Sequence, residues 1–195
     1  MCLLKRPDIS MKKDCIDKYI REHLSEHRLT HTYGVRDLAV KLADIYGACC
    51  DKAEIAALIH DMAKPLDDNE ANAQIIKYGL DRSLLNNRNI AHGHIAAAWA
   101  KDMFGIDDED ILNAARYHTT ARKDMSLLEK IIYVADTVEV NRTYEEASML
   151  REKSLTELDN VYKYILIWTK ENLKERNLEL SKDTKDAIAE VLNDK

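Results

Sequence analysis

The chain has 195 residues, of which 46% are hydrophobic, which is enough for one domain with a sizeable core but not for two comfortable ones. Its net charge of -6, with acidic and basic residues interspersed, argues against nucleic-acid binding, which would need clustered Lys and Arg. Five Gly and two Pro leave few turns and favour an all-α protein. We expect the domain to cover residues 12–195, after an N-terminal extension of residues 1–11 with little structure.

The cellular compartment is indicated by what the sequence lacks. No apolar run approaches the ~18 to 20 residues of a membrane span, and the start of the chain has no signal-peptide core. The four cysteines show no C-x-x-C spacing, which indicates free thiols in a reducing environment. We therefore expect a cytoplasmic protein with no membrane partner. Exposed apolar positions suggest a homodimer.

Two amphipathic helices open the predicted domain. The first, over residues 12–24, has core positions at four-residue spacing: Ile16, Ile20 and Leu24. Ser25 is a break or an N-cap, and Gly47 is a C-cap of the second helix. The second helix has a stripe that steps by four and three: His31, Val35, Leu38, Leu42 and Ile45. His31 thus lies on the core face, either as a metal ligand or as a core histidine bonded to a backbone carbonyl.

A third helix, for which Asp51 is the predicted cap, is apolar around most of its circumference and ends in the pair His60-Asp61. Pro65 prevents the helix from continuing. A nitrogen ligand beside an oxygen ligand in such a place suggests half of a metal site, and a histidine favoured by the helix dipole is the alternative. Lys64 would project on the same face to hold a phosphate, or would be a solvated lysine at a helix end.

Two more histidines belong to the next strongly helical stretch. The polar residues 65–90 predict one short helix between two loops, and a helix then runs from about His94 to Met103, closed by Gly105. His92 lies at its start. At ~100° per residue, His92 and His94 are about 200° apart on a helix, so only one can face a common site. We select His92.

The second half of the chain supplies one further histidine and one buried carboxylate. A helix from Asp110 to Tyr117 ends at His118, which resembles His60 in its place but is alternatively a surface histidine favoured by the dipole. From Ser126 the run LLEKIIYVADTVEV predicts a second central helix, interrupted by Asp136. A charge in such a run is costly unless it is paired or bound to metal.

Six of these side chains lie at or within apolar helices, with gaps of 29, 1, 31, 26 and 18 positions: His31, His60, Asp61, His92, His118 and Asp136. A helical bundle can bring all six to one centre. The order H, HD, D resembles the HD-domain superfamily of metal-dependent phosphohydrolases. The closer resemblance is to the YqeK-type symmetrical bis(5'-nucleosyl)-tetraphosphatases, and the blocks that carry it are RLTHTYGVRDLAVKLADIYG, AALIHDMAK, AHGHIAAAWAKDMFGI and RYHTTARKDMSLLEKIIYVADTVE.

Two positions depart from that family. A glycine usually follows the HTT stretch, where this chain has Ala121. A Pro-Gly pair commonly precedes the arginine that is Arg142 here, where this chain reads EVNR. Both departures affect the local shape of a loop and leave the ligand set unchanged.

The resemblance implies a single HD-type helical bundle that holds two divalent ions in its core cleft, iron or alternatively manganese or a similar metal. The ligands implied for the first ion are His31, His60, Asp61 and Asp136. Those implied for the second are His92 and His118, with Asp61 shared as a bridge. Mixed imidazole and carboxylate ligation suits such ions on chemical grounds as well. The implied reaction is hydrolysis of diadenosine tetraphosphate to two ADP by a hydroxide that bridges the ions.

Contacts to the substrate phosphates are implied for four side chains. Lys64, Arg28 and Arg142 would stabilise charge on the non-reacting phosphates, and Thr119 would donate a hydrogen bond to one of them. Arg28 lies one helical turn before His31, which places it at the rim of the site, and an ordinary surface arginine is the equal alternative.

Two other functions stay open at this point. The same metal centre could act on another nucleotide, such as a deoxynucleoside triphosphate, a guanosine alarmone or a cyclic dinucleotide. The H-H-E...GYP signature of enzymes for cyclic dinucleotides is absent from the sequence. A helical module that senses nucleotide and metal without turnover is the non-enzymatic alternative, and the complete set of expected ligands weighs against it.

Overall fold

The computed structural model describes residues 9–193, which contain ten α-helices, a 3₁₀ turn at Arg82–Leu84 and no strand. The helices in chain order are α1 Ile9–His23, α2 Glu26–Tyr46, α3 Cys50–Ile59, α4 Asp68–Lys77, α5 Arg88–Phe104, α6 Glu109–Arg116, α7 Leu127–Val138, α8 Ala147–Ser154, α9 Leu158–Glu175 and α10 Lys182–Asn193. The predicted all-α fold is therefore confirmed. Residues 1–8 of the predicted extension lie outside the described residues, and residues 9–11 belong to α1.

The helix ends follow capping residues of the sequence. Ser25 accepts a hydrogen bond from the backbone N–H three residues later at the start of α2, and Gly47 ends α2 with a φ of 76°. Gly105 ends α5 in the same left-handed conformation, with a φ of 59°. At the start of α7, Ser126 and Glu129 form a reciprocal capping box. Loss of one such N-cap costs roughly 1 kcal/mol of stability.

The prediction that Asp51 caps the third helix is wrong. α3 begins at Cys50, and Cys49 occupies the N-cap position without a side-chain capping bond. Asp51 lies in the first turn, where its carboxylate favours the helix dipole, and it binds the ammonium group of Lys13 at 2.6 Å. The carboxylate of Asp51 therefore forms an ion pair between α1 and α3 and does not cap α3.

The helix that carries His92 starts earlier than predicted. α5 begins at Arg88 rather than near His94, so His92 lies inside the helix and not at its first residue. Gly93 lowers the helix propensity of this stretch, but packing requires it. A Cβ atom at Gly93 would lie 2.6 and 2.8 Å from two carbonyl oxygens at the end of α6. Gly93 thus permits the close approach of α5 to the end of α6.

Two helices lie at the centre of the bundle. α3 packs against α1, α2, α5, α6 and α7, and α7 packs against α2, α3, α6, α8 and α9. Their buried side chains include Ile55 and Ile59 of α3 and Ile131 and Ile132 of α7, all fully buried. Burial of each such side chain stabilises the fold by ~1.5–3 kcal/mol. None of the described helices combines the length and the apolar character needed to cross a membrane.

Ala121, in the loop after α6, has a left-handed backbone with a φ of 53° and is fully buried. This conformation costs an L-residue roughly 1–2 kcal/mol, so Ala121→Gly relieves strain while it removes a buried methyl group worth about 1 kcal/mol. We expect the free energy of unfolding to change by less than about 1 kcal/mol in urea denaturation.

The matched control is Ala114→Gly. Ala114 is also fully buried but lies in α6, where no strain is relieved. This variant loses the methyl group and about 1 kcal/mol of helix propensity, so we expect a loss of roughly 2 kcal/mol. Equal losses for the two variants would show that the backbone at Ala121 is unstrained.

Candidate metal centre

The end of α3 delivers a histidine and an aspartate to the interior. His60 is the C-cap of α3, and its N–H donates to the Ala56 carbonyl. A tight turn follows, in which the Lys64 N–H donates to the Asp61 carbonyl, and Pro65 then ends any helical continuation. The side chain of His60 is fully buried and that of Asp61 is 3% exposed. A central helix thus ends with two polar side chains inside the core.

Asp61 lies between two pairs of imidazoles. Its Oδ2 atom is 3.8 Å from His31 Nε2 and 3.5 Å from His60 Nε2. Its Oδ1 atom is 3.1 Å from His92 Nε2 and 3.7 Å from His118 Nε2. The two oxygens of one carboxylate therefore face two different sets of nitrogen atoms.

Asp136 joins the first of these pairs. Its Oδ1 atom lies 3.0 Å from His31 Nε2 and 3.9 Å from His60 Nε2. In the second pair, the Nε2 atoms of His92 and His118 are 3.0 Å apart. The structure thus brings together all six of the predicted ligands, which come from α2, the end of α3, α5, the turn after α6 and α7.

Each of the four imidazoles is oriented by a contact at Nδ1, which leaves Nε2 to face the two aspartates. The Nδ1 atoms of His60 and His118 each lie 2.6 Å from the carbonyl three residues earlier, and that of His92 lies 3.1 Å from the carbonyl four residues earlier. The Nδ1 atom of His31 lies 3.1 Å from a carboxylate oxygen of Glu139. Donation from Nδ1 leaves the Nε2 lone pair for a metal.

The spacing and the chemistry of this cluster fit divalent ions. Ligand atoms bound ~2.1 Å from one ion, at angles from about 90° to 180°, lie about 3 to 4 Å apart, and the distances within each set fall in this range. The Nε2 atom of His60 is buried and has no hydrogen-bond partner among the described residues. A buried nitrogen of this kind is costly unless something binds it.

The HD domain family model matches residues 28–141, a range that contains all six clustered histidines and aspartates. This protein belongs to the HD domain family.

Relatives of this HD domain protein share most of its length. It is 40% identical over 166 residues to the symmetrical bis(5'-nucleosyl)-tetraphosphatase of Halalkalibacterium halodurans, covering 85% of this chain and 89% of the relative. The Bacillus subtilis protein of the same name is 41% identical over 141 residues, with coverages of 72% and 76%. These similarities confirm the closer family resemblance found in the sequence.

A solved structure matches the fold. The crystal structure of a predicted HD superfamily hydrolase involved in NAD metabolism, from Clostridium acetobutylicum, superposes with a TM-score of 0.88 at 36% identity. The match covers 93% of this chain and 97% of that chain. The helical bundle described above is thus the HD fold over nearly its whole length.

Three cationic side chains surround the HD centre. Arg28 Nη1 donates to Asp61 Oδ2 at 2.6 Å, and Arg142 Nη2 donates to Asp136 Oδ1 at 2.9 Å. Lys64 Nζ lies 3.5 Å from a histidine nitrogen of the centre. Buried carboxylates need such compensation, which Arg28 and Arg142 supply to Asp61 and Asp136.

Protonation differs among the imidazoles of the HD centre. Burial lowers the pKa of His60 to about 4 and also lowers the pKa of His92, so both rings are neutral at pH 7. Burial lowers the pKa of His31 as well, but hydrogen bonds with Asp136 and Glu139 outweigh it and raise this pKa to about 9. Because a ligand nitrogen must be unprotonated, metal binding at His31 would release a proton.

Thr119 directly follows His118 in the loop of the HD domain after α6. Its hydroxyl is buried and has no hydrogen-bond partner among the described residues. A hydroxyl that makes no hydrogen bond within the protein is free to donate one to a ligand.

The sequence pattern does not single out Glu139, although this residue is next to the HD centre. Its carboxylate accepts the Nδ1–H of His31 at 3.1 Å, and its side chain is 1% exposed. The one signal in the sequence is an acidic residue three positions after Asp136 within the same apolar run. That position is compatible with an ordinary helix end, so the pattern alone does not assign it a role.

His94 contacts a different part of the HD domain. Its ring packs edge-on against Tyr117, with ring centroids 5.5 Å apart, and its Nε2 atom is buried without a hydrogen-bond partner among the described residues. Burial, together with the charge of Arg116, lowers the pKa of His94 to about 4. His94 therefore stays neutral in the folded protein under conditions in which an exposed histidine is charged.

This lowered pKa predicts a loss of stability in acid. An unfolded histidine titrates near pH 6.5, so between pH 6.5 and 4 the unfolded chain binds a proton that folded His94 does not. The contribution of His94 to stability is full above pH 6.5 and is lost as the pH falls toward 4. We expect His94→Gln to reduce the acid loss by on the order of 2 kcal/mol.

Urea unfolding of the metal-free protein, at several pH values from 7 to 4, measures this effect. We expect the free energy of unfolding to fall less steeply with decreasing pH in the variant than in wild type. The other histidines contribute equally to both proteins and do not affect this difference. Parallel pH profiles would contradict the assignment to His94.

Proposed function

We propose that this protein is a metal-dependent hydrolase that cleaves diadenosine tetraphosphate symmetrically into two ADP. The observation that carries the proposal is the placement of Asp61, whose two oxygens face two sets of metal-ligand atoms in one buried centre. Membership of the HD domain family and the names of the relatives support the activity and the substrate.

The proposed ligands follow the two sets of contacts. His31, His60 and Asp136 would hold one ion, His92 and His118 the other, and Asp61 would bind both. Such a pair of ions supplies a water nucleophile activated at neutral pH and neutralises charge on the phosphates. Imidazole and carboxylate ligands without thiolates suit iron, with manganese or a similar ion as the alternative.

The cations of the chain bind and orient the tetraphosphate in this proposal. The guanidinium groups of Arg28 and Arg142 are each held beside the centre by a carboxylate, and N–H groups that these bonds leave free would donate to the phosphates. Lys64 lies beside His92 and contributes a point charge, and the hydroxyl of Thr119 donates a hydrogen bond. These groups would stabilise charge on the non-reacting phosphates.

The test is a product analysis. The protein is purified without oxygen, loaded with Fe²⁺ or Mn²⁺ and incubated with diadenosine tetraphosphate, deoxynucleoside triphosphates and guanosine tetraphosphate in parallel. We expect diadenosine tetraphosphate to be the fastest substrate and ADP its only product. AMP together with ATP would overturn symmetrical cleavage. Failure to hydrolyse any of the nucleotides would favour a binding module without turnover.

A further inference from the structure

Three of the four clustered histidines are held by their own local backbone. The Nδ1 atoms of His60 and His118 contact the carbonyls of Ala57 and Ala115, three residues earlier in each case. His92 contacts the carbonyl four residues earlier in α5. These rings are oriented as soon as their helices form.

His31 has no such local acceptor. His60 and His118 follow the ends of α3 and α6, where the last carbonyls of a helix lack intrahelical partners. His92 lies inside α5 and contacts a carbonyl of its own helix, whereas the Nδ1 atom of His31, inside α2, contacts a side chain. The orientation of this one ring therefore depends on a group from elsewhere in the chain.

Glu139, which is 108 positions away in sequence, supplies that group. Its Oε1 atom accepts from His31 Nδ1 at 3.1 Å. Its Oε2 atom accepts from the backbone N–H of Asn141 at 2.6 Å and from the side-chain amide of the same residue at 2.9 Å. The carboxylate is buried and anchored through both oxygens, which fixes the direction from which His31 is held.

The sequence of α2 leaves space for this carboxylate. Gly34 follows His31 by about one helical turn, and a Cβ atom there would lie 2.1 Å from Glu139 Oε2 and 2.9 Å from Asn141 Nδ2. Its backbone is helical, so conformational freedom is not the reason for glycine at this position. Glycine weakens a helix interior, and the space for Glu139 offsets that weakness.

We infer that Glu139 is a positioning residue, seated over Gly34, that fixes and strengthens His31 as a metal ligand and so makes the His31 side of the centre the tighter of the two ion sites. The inference rests on the proposed function only in assuming that the centre binds ions. A carboxylate behind an imidazole fixes the ring and raises its basicity as a ligand, and loss of such a partner typically weakens metal binding 10- to 100-fold. The other three imidazoles have only neutral carbonyls behind them.

The experiment is a titration of the metal-free protein with Mn²⁺, in which calorimetry and electron paramagnetic resonance measure the binding of the ions. We expect wild type to bind two ions with unequal affinity. Glu139→Ala should weaken binding of the tighter ion about 10- to 100-fold and change binding of the other ion less. Glu139→Gln keeps a hydrogen-bond acceptor without the charge, so its affinity for the tighter ion should lie between those of wild type and Glu139→Ala. Gly34→Ala should act like Glu139→Ala, because it displaces the carboxylate without altering it.

Two controls separate positioning from a general structural effect. Glu145→Gln removes an exposed carboxylate from the same loop and should leave both affinities unchanged. In the metal-free protein, the Nδ1–H proton of His31 should give an exchange-protected NMR signal that is lost in Glu139→Ala. Gly34→Ala also changes α2 itself, so the Glu139 variants decide the matter if that protein does not fold.

The outcomes distinguish this inference from the proposed activity. Unchanged Mn²⁺ affinities and an unchanged His31 signal in Glu139→Ala would overturn the inference even if wild type cleaves diadenosine tetraphosphate. Weakened binding in a protein that cleaves no nucleotide would support the role of Glu139 and overturn the activity. A wild type that binds no divalent ion would overturn both.

Discussion

Replacing Asp61 with alanine is expected to remove both metal ions and to lower hydrolysis by more than about 10³-fold. The reason is that the Oδ1 and Oδ2 atoms of Asp61 face different pairs of imidazoles, so its removal takes a ligand from each set. Elemental analysis of the purified variant and an assay of ADP release measure the two effects.

The control for this variant is Asp44→Ala, which removes an exposed carboxylate from α2. Its metal content and rate should equal those of wild type. If the Asp61 variant retained two ions per chain, Asp61 would not be a shared ligand and the division of the centre into two sites would be wrong.

Replacing Lys64 with methionine is expected to keep both metal ions and to lower kcat by roughly 10²-fold. Methionine preserves the apolar stem of the half-buried side chain and removes only the ammonium group. That group lies 3.5 Å from His92 Nε2, close enough to act on a phosphate at the centre but not required as a ligand. Steady-state kinetics with diadenosine tetraphosphate, together with the metal content, test this expectation.

Lys41→Met is the matched control, since Lys41 is an exposed lysine of α2. It should leave kcat and KM unchanged. Unchanged kinetics in the Lys64 variant as well would reduce Lys64 to a lysine that only balances nearby carboxylates.

The fold and the cluster of polar residues were accessible from the sequence for physical reasons. Low Gly and Pro content with helical apolar spacing predicts helices, and a histidine or aspartate inside such a pattern has to be buried by the fold. Asp136 is the clearest case, because a carboxylate within an apolar run requires a partner. The angle between His92 and His94 on one helix also separated two neighbouring histidines that the composition does not distinguish.

Other features depend on contacts that no local pattern contains. Asp51 was predicted as a cap, but its carboxylate pairs with Lys13 of another helix. Gly93 weakens the helical pattern of α5, and its role becomes clear only from the close approach of the end of α6. Glu139 contacts His31 from 108 positions away in the sequence. The need for glycine at position 34 is visible only when the position of that carboxylate is known. Long-range pairing of this kind is decided by the packed bundle and not by propensity.

The six clustered side chains come from separate parts of the chain that span residues 31 to 136. Ions held by them would act as non-covalent cross-links among α2, α5, α7 and the ends of α3 and α6. Binding to the folded state alone raises the free energy of unfolding by RT ln(1 + [L]/Kd), which is about 2.7 kcal/mol at a hundredfold excess of free ion over Kd. Loss of the ions would therefore lower the stability of the folded protein as well as its hydrolytic activity.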